Sequence, residues 1–162
     1  MKKMTALLST GLLLFSAQAL SKEKVTLLLD WFVNPDHAPL IVAQQKGFFA
    51  QQDLDVEIIE PADPSMPPKL VAAGKADLAV DYQPQLQLAV ANGLPLVRVG
   101  TLVSTPLNSI TVLDNGKINS LADLKGKKVG YSVSGFEDAL LNTMLSHAGL
   151  SAKDVELSLI HI

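Results

Sequence analysis

Strand and helix signals alternate along this chain, and that alternation restricts the fold more than any other feature. KVTLLLDWF (residues 24–32) reads as a buried strand that ends in polar residues. DHAPLIVAQQKGFFAQQ (36–52) reads as a helix that Gly47 weakens or closes, with Asp36 able to cap it and Ala38, Ile41, Val42, Phe48 and Phe49 on one side at helical spacing. LDVEIIE (54–60) alternates as a second strand. DPSMPPKLVAAGKA (63–76) opens with prolines, which a helix tolerates in its first turn, and places Gly74 where a C-cap would fall. A strand, DLAVDY (77–82), and a helix, QPQLQLAVANG (83–93), follow. Two further β runs are expected at PLVRVGTLVS (95–104) and NSITVLDNG (108–116). The remainder repeats the theme: a short helix SLADLKG (120–126), a strand KKVGYSV (127–133), a helix GFEDALLNTMLSHAG (135–149) and a turn into a strand, SAKDVEL (151–157).

This order implies an α/β fold of parallel βαβ units with right-handed crossovers. Ligands of such sheets gather at the carboxyl ends of the strands, beside the helix N-termini that follow. The strand-to-helix joints at residues 30–37, 61–66, 81–85 and 132–137 are therefore the places to look for a site.

At the first joint, Trp31 offers a flat stacking face with one N–H donor, Asn34 both donates and accepts, and His37 can reach a ligand edge. A purely structural role competes: Trp31 as a core or lid residue, and Asn34-Pro35-Asp36 as a turn with a cap. At the third joint, Tyr82 can form a second aromatic wall, and Asp81 can accept hydrogen bonds from an amino-heterocycle or a cation; packing and solvation are the plain alternatives. At the fourth, Ser132, Ser134 and Gly135 precede a helix whose open backbone N–H groups suit a polar or anionic group, with Glu137 and Asp138 as dipole-compensating acids. The segment has no phosphate-loop spacing, and the chain has no Gly-x-Ser-x-Gly elbow. One His with no paired carboxylate spacing is a weak metal signal, so no metal site is expected.

The N-terminus carries Lys2 and Lys3, an apolar stretch from Leu7 to Phe15 and then Ala17-Gln18-Ala19, the pattern of a secretory signal peptide over residues 1–19. The apolar stretch is well short of the roughly 20 residues a membrane span needs. Without Lys2 and Lys3 the 13 basic residues become 11 against 16 acidic ones, a net −5, and no long basic run remains for nucleic acid. The chain has no Cys, which rules out disulfides, thiol catalysis and a lipid-anchored N-terminal Cys. A periplasmic location through the signal peptide, and not as a lipoprotein, is the expectation.

Four stretches together resemble a known family: LLLDWFVNPDHAPLIVAQQKGFFAQQDLDVEIIEPADPS, KLVAAGKADLAV, PLVRVGTLVSTPLNSI and SLADLKGKKVGYSV. They are similar to the thiamine pyrimidine precursor synthase-like family, and more narrowly to its periplasmic binding proteins. The similarity runs from about residue 24 to 156, and rests on Trp-x-x-Asn-x-x-His, Gln-Lys-Gly-Phe-Phe and Asp-Leu-Lys-Gly-Lys-Lys taken together. It implies a two-lobed, type II periplasmic-binding-protein-like fold that closes on its ligand. The implied ligand is an aminopyrimidine in its hydroxymethyl or formylaminomethyl form, and the implied partners are an ABC permease and ATPase. Neither a cofactor nor an oligomer is implied. Trp31, Asn34 and His37, then Tyr82 and Asp81, are the ligand contacts that the resemblance carries over.

The same family holds an enzyme that builds the pyrimidine phosphate from pyridoxal phosphate and its own histidine. Alignment puts its cofactor lysine at position 81 and its sacrificed histidine at position 85, where this chain has Asp81 and Gln85. No Schiff base forms without the amine, so no catalytic residue is expected here. Other small aromatic or sulfonate-like nutrients remain an alternative cargo.

By the same resemblance, residues 20–105 correspond to lobe 1 and 106–156 to the hinge and the start of lobe 2, so the pocket would be only half lined. The terminal LSLIHI (157–162) equals the translation of a common transposase-adapter end, so it is expected to be a non-native tail.

Overall fold

The computed structural model describes residues 22–133 and 135–159. The signal-peptide reading at 1–19, Ser134, and positions 160–162 of the expected tail lie outside the described residues.

Two parallel sheets form. In the first, β1 (Glu23–Leu28) is central, with β2 (Leu54–Ile59) on one side in the register Glu23↔Leu54 to Leu28↔Ile59. On its other side lies β3 (Leu78–Ala79), paired as Leu27↔Leu78 and Leu28↔Ala79. A central strand is covered on both edges and both faces, which is why its end carries the run Leu27, Leu28 and Leu29, all buried.

The helix expected over 36–52 is divided. A 3-10 turn at Pro35–His37 leads into α1 (Ala38–Gln45). Gly47 then takes a left-handed φ of 69°, and a second short turn, Ala50–Gln52, ends at Asp53 with φ 57°. These two reversals return the chain so that the Asp53 carbonyl accepts the Glu23 N–H at 2.8 Å and β2 starts beside β1. The helix α2 (Pro67–Ala72) begins at its two prolines, and α3 (Gln83–Ala91) has Pro in its first turn and stops at Asn92-Gly93.

The second sheet pairs β4 (Lys128–Tyr131) with β5 (Glu156–Leu159) in parallel, crossing through α4 (Phe136–His147). Its core is Leu124, Val129, Leu141, Leu145 and Val155, with Leu157 packed on it. Leu157 to Leu159, within the stretch expected to be a tail, form the last three residues of β5.

The β runs expected at 95–104 and 108–116 do not form strands. A strand needs a neighbour for its ladder, and among the described residues none pairs with either run. Val97, Val99 and Leu113 are left largely exposed. Among the described residues no helix is long and apolar enough to cross a membrane.

Candidate ligand-binding site

All four strand-to-helix joints contribute to one cavity of about 180 Å³. Asp30, Trp31 and Asn34 come from the end of β1, and Pro64 from the loop after β2. Asp81, Tyr82 and Gln85 come from the joint of β3 with α3, and Ser132, Val133 and Glu137 from that of β4 with α4. Parallel strands point the same way, so their carboxyl ends and the loops after them meet at one place.

The Trp-x-x-Asn-x-x-His motif folds on itself. Asn34 caps the 3-10 turn, its Oδ1 accepting the Asp36 N–H at 2.9 Å while its Nδ2 donates to the Phe32 carbonyl at 3.1 Å. Its backbone N–H donates to His37 Nδ1 at 3.3 Å. With Nδ1 accepting, the ring carries its proton on Nε2, which lies 2.7 Å from Asp30 Oδ1. His37 is 1% exposed and both its nitrogens are engaged, so it stands behind Asp30 and not on the cavity wall, where sequence reading expected it. Trp31 and Asn34 do line the cavity. Trp31 has Phe32 edge-on, with ring centroids 6.1 Å apart.

Asp81 and Tyr82 both face the cavity. Asp81 Oδ2 is buried with no hydrogen-bond partner among the described residues. Burial pushes its carboxyl up to about 6, against a backbone hydrogen bond from Tyr82 and with added repulsion from Asp30. Tyr82 stacks on Phe136 with centroids 5.5 Å apart and planes 24° from parallel. Burial raises its hydroxyl to about 12, helped by the charge of Asp30 and a hydrogen bond to it. Asp30 thus receives His37 and its charge bears on Tyr82.

The fourth joint departs from expectation. Three of its described backbone donors, those of Ser132, Val133 and Gly135, are taken by acids of α4 itself. Glu137 Oε2 accepts the N–H groups of Ser132 and Val133 at 2.6 and 2.8 Å. Gly135, with φ 100°, donates to Asp138 Oδ2 at 2.9 Å and does not line the cavity. Carboxylates in a first turn outcompete an outside anion for the same N–H groups. Sequence reading passed over Asp30 and gave Glu137 no place in the cavity. Asp30 was findable as the polar residue that ends the LLL run of β1, whereas the reach of Glu137 back to residue 132 depends on how the joint folds.

Chemically, the cavity presents two aromatic rings, Trp31 and Tyr82, and three carboxylates, Asp30, Asp81 and Glu137. No Lys, Arg or His is among its described lining residues. Such a wall suits a flat ring that brings hydrogen-bond donors. Among the described residues no group of three or more His, Cys, Asp or Glu could hold a metal ion.

Solved structures share these parallel sheets. The fold is that of periplasmic solute-binding proteins. The periplasmic aliphatic sulphonate binding protein SsuA from Escherichia coli superposes with a TM-score of 0.66 at 22% identity, over 86% of this chain and 47% of that one. More narrowly, residues 34–160 match the NMT1/THI5 like family, and the chain belongs to it. A putative thiamine biosynthesis protein of Haemophilus influenzae is 68% identical over 145 residues, 90% of this chain and 46% of the relative. A 4-amino-5-hydroxymethyl-2-methylpyrimidine phosphate synthase of Legionella pneumophila is 40% identical, over 80% of this chain and 40% of the relative. The formylaminopyrimidine-binding protein of Halalkalibacterium halodurans is also 40% identical, over 83% of this chain and 41% of the relative. The chain spans a little under half the length of these curated relatives.

Proposed function

We propose that this chain belongs to the solute-binding component of an ABC importer for a thiamine pyrimidine precursor, the hydroxymethyl or formylaminomethyl aminopyrimidine. The observation that carries this reading is the unpartnered Asp81 Oδ2 buried beside Trp31 and Tyr82. An aminopyrimidine supplies a flat face for the rings and an N–H for that oxygen. Asn34 adds a polar edge, and His37 acts through Asp30 by holding its carboxylate in place. Export through residues 1–19 to the periplasm, delivery to a permease and ATPase, and a lobe 1 to lobe 2 division near residue 105 complete the reading.

Binding without chemistry is favoured over synthesis. Asp81 and Gln85 stand where the synthase resemblance calls for lysine and histidine, and neither supplies an amine for a Schiff base. A thermal-shift screen of the complete gene product tests the reading. The aminopyrimidines are expected to raise Tm, and alkanesulfonates to leave it unmoved. A shift with sulfonates and none with pyrimidines would overturn it.

A further inference from the structure

Glu137 occupies backbone donors of a kind that can hold an anion. Its Oε2 accepts the backbone N–H groups of Ser132 and Val133 at 2.6 and 2.8 Å. The Ser132 hydroxyl also reaches this carboxylate, 3.1 and 3.2 Å from its two oxygens. Donors converging from a strand-to-helix joint are what a phosphate or sulfonate uses in other proteins. Here a side chain of the protein fills that role, and the same carboxylate forms part of the cavity wall with Asp30 and Asp81.

The remaining acceptors point the same way. Asp30 Oδ1 is held by His37, while Asp81 Oδ2 is buried with no donor. An entering molecule must bring an N–H or O–H, and no described Lys, Arg or His of the lining balances a negative charge.

We propose, building on the pyrimidine-binding reading above, that Glu137 is a specificity-determining residue: an internal stand-in for an anion that makes the site take the aminopyrimidine alcohol and refuse its phosphate ester. A phosphomonoester carries between one and two negative charges at neutral pH. To enter, it must displace Glu137 from its donors or lie beside three carboxylates, and like-charge juxtaposition is strongly unfavourable.

Calorimetry on the complete gene product with 4-amino-5-hydroxymethyl-2-methylpyrimidine and with its phosphate monoester tests this. The alcohol is expected to bind tighter by on the order of a hundredfold. Glu137→Gln, checked for folding by circular dichroism, should shrink that ratio by roughly tenfold, and Glu137→Asp, which keeps the charge, should preserve most of it. Should Glu137→Gln fail to fold, the parent still decides: inorganic phosphate must not compete with the alcohol. Equal binding of alcohol and ester by the parent, phosphate competition, or an unmoved ratio in a folded Glu137→Gln would overturn the assignment and leave the pyrimidine reading standing. Binding of neither the alcohol nor its ester would overturn the assignment, and the pyrimidine reading would fall with it only if the formylaminomethyl form also failed to bind.

Discussion

The two sheets handle burial in opposite ways. In the β4–β5 unit, α4 lays Leu141 and Leu145 on Leu124, Val129 and Val155, and Leu145 is 0% exposed. In the β2–β1–β3 unit the central strand is buried only at its carboxyl end, and no residue of α1 or α3 is fully covered. Val42, Leu88 and Val90 stay close to half exposed. Beyond its leucines this unit buries Pro67, Pro68 and Ala76 and one polar side chain, His37 against Asp30. A two-stranded sheet is narrow enough for one 12-residue helix to roof it. A three-stranded sheet spreads its helices, and its best-enclosed side chains sit at the strand ends, where the cavity is.

The sharpest way to break this comparison is to truncate one side chain in each unit. Leu145→Ala should cost about 2–5 kcal/mol, whereas Leu88→Ala, from a half-exposed position, should cost about 1 kcal/mol or less. Equal losses in urea titrations would mean the first unit is as tightly roofed as the second. Next in size is Asp30→Ala, which strands the buried His37 Nε2–H and should cost about 1–3 kcal/mol. Asp30→Asn retains an acceptor and should recover most of the loss; no difference between the two variants would count against the buried pair.

A smaller effect appears with pH. The Asp81 carboxyl moves from 3.8 in the unfolded chain to about 6 in the folded one. Between those values the folded chain holds a proton that the unfolded chain has released, so this group's contribution to stability falls as pH rises through the window and is flat above it. Ligand donors favour the ionised acid, so affinity should run the other way and drop below about pH 6. Asp63, Asp123 and Asp154 have carboxyls held low by hydrogen bonds from Ser65, Asn119 and Ser151 respectively, and slope oppositely. Melting curves of Asp81→Asn against the parent isolate the Asp81 component, and identical pH slopes would refute it. Smallest of all, Lys128→Ala removes a 3.1 Å cross-strand pair with Glu156 that is about two-thirds exposed, and should change stability by no more than about 0.5 kcal/mol.

Patterning along the chain located β1, β2, α3, β4 and α4 closely, because each has an apolar period and a recognisable stop. Gly47, legible as a point that weakens or closes the first helix, takes a left-handed φ and ends the ladder, so Phe48 and Phe49 fall outside α1 despite their helical spacing. The runs at 95–104 and 108–116 have strand composition without strand pairing, since β structure is completed by neighbours and not by the run itself. At the site, the joints were legible from topology, and Trp31, Asn34, Asp81 and Tyr82 line the cavity. The retreat of His37 behind Asp30 and the reach of Glu137 to Ser132 are not legible, because both are bonds within a joint, seven and five residues apart, whose loop conformation no helical or strand period encodes.

The sealed contact between His37 and Asp30 also offers a spectroscopic reporter. A 2.7 Å bond from a ring almost fully shielded from water should hold its proton long enough to give a slowly exchanging, far-downfield imidazole resonance. Of the two described histidines, His147 is solvent-facing on α4, so the His37 signal would stand apart from it. Anything that pulls on Asp30 from the cavity side, a bound ring included, should move that one line.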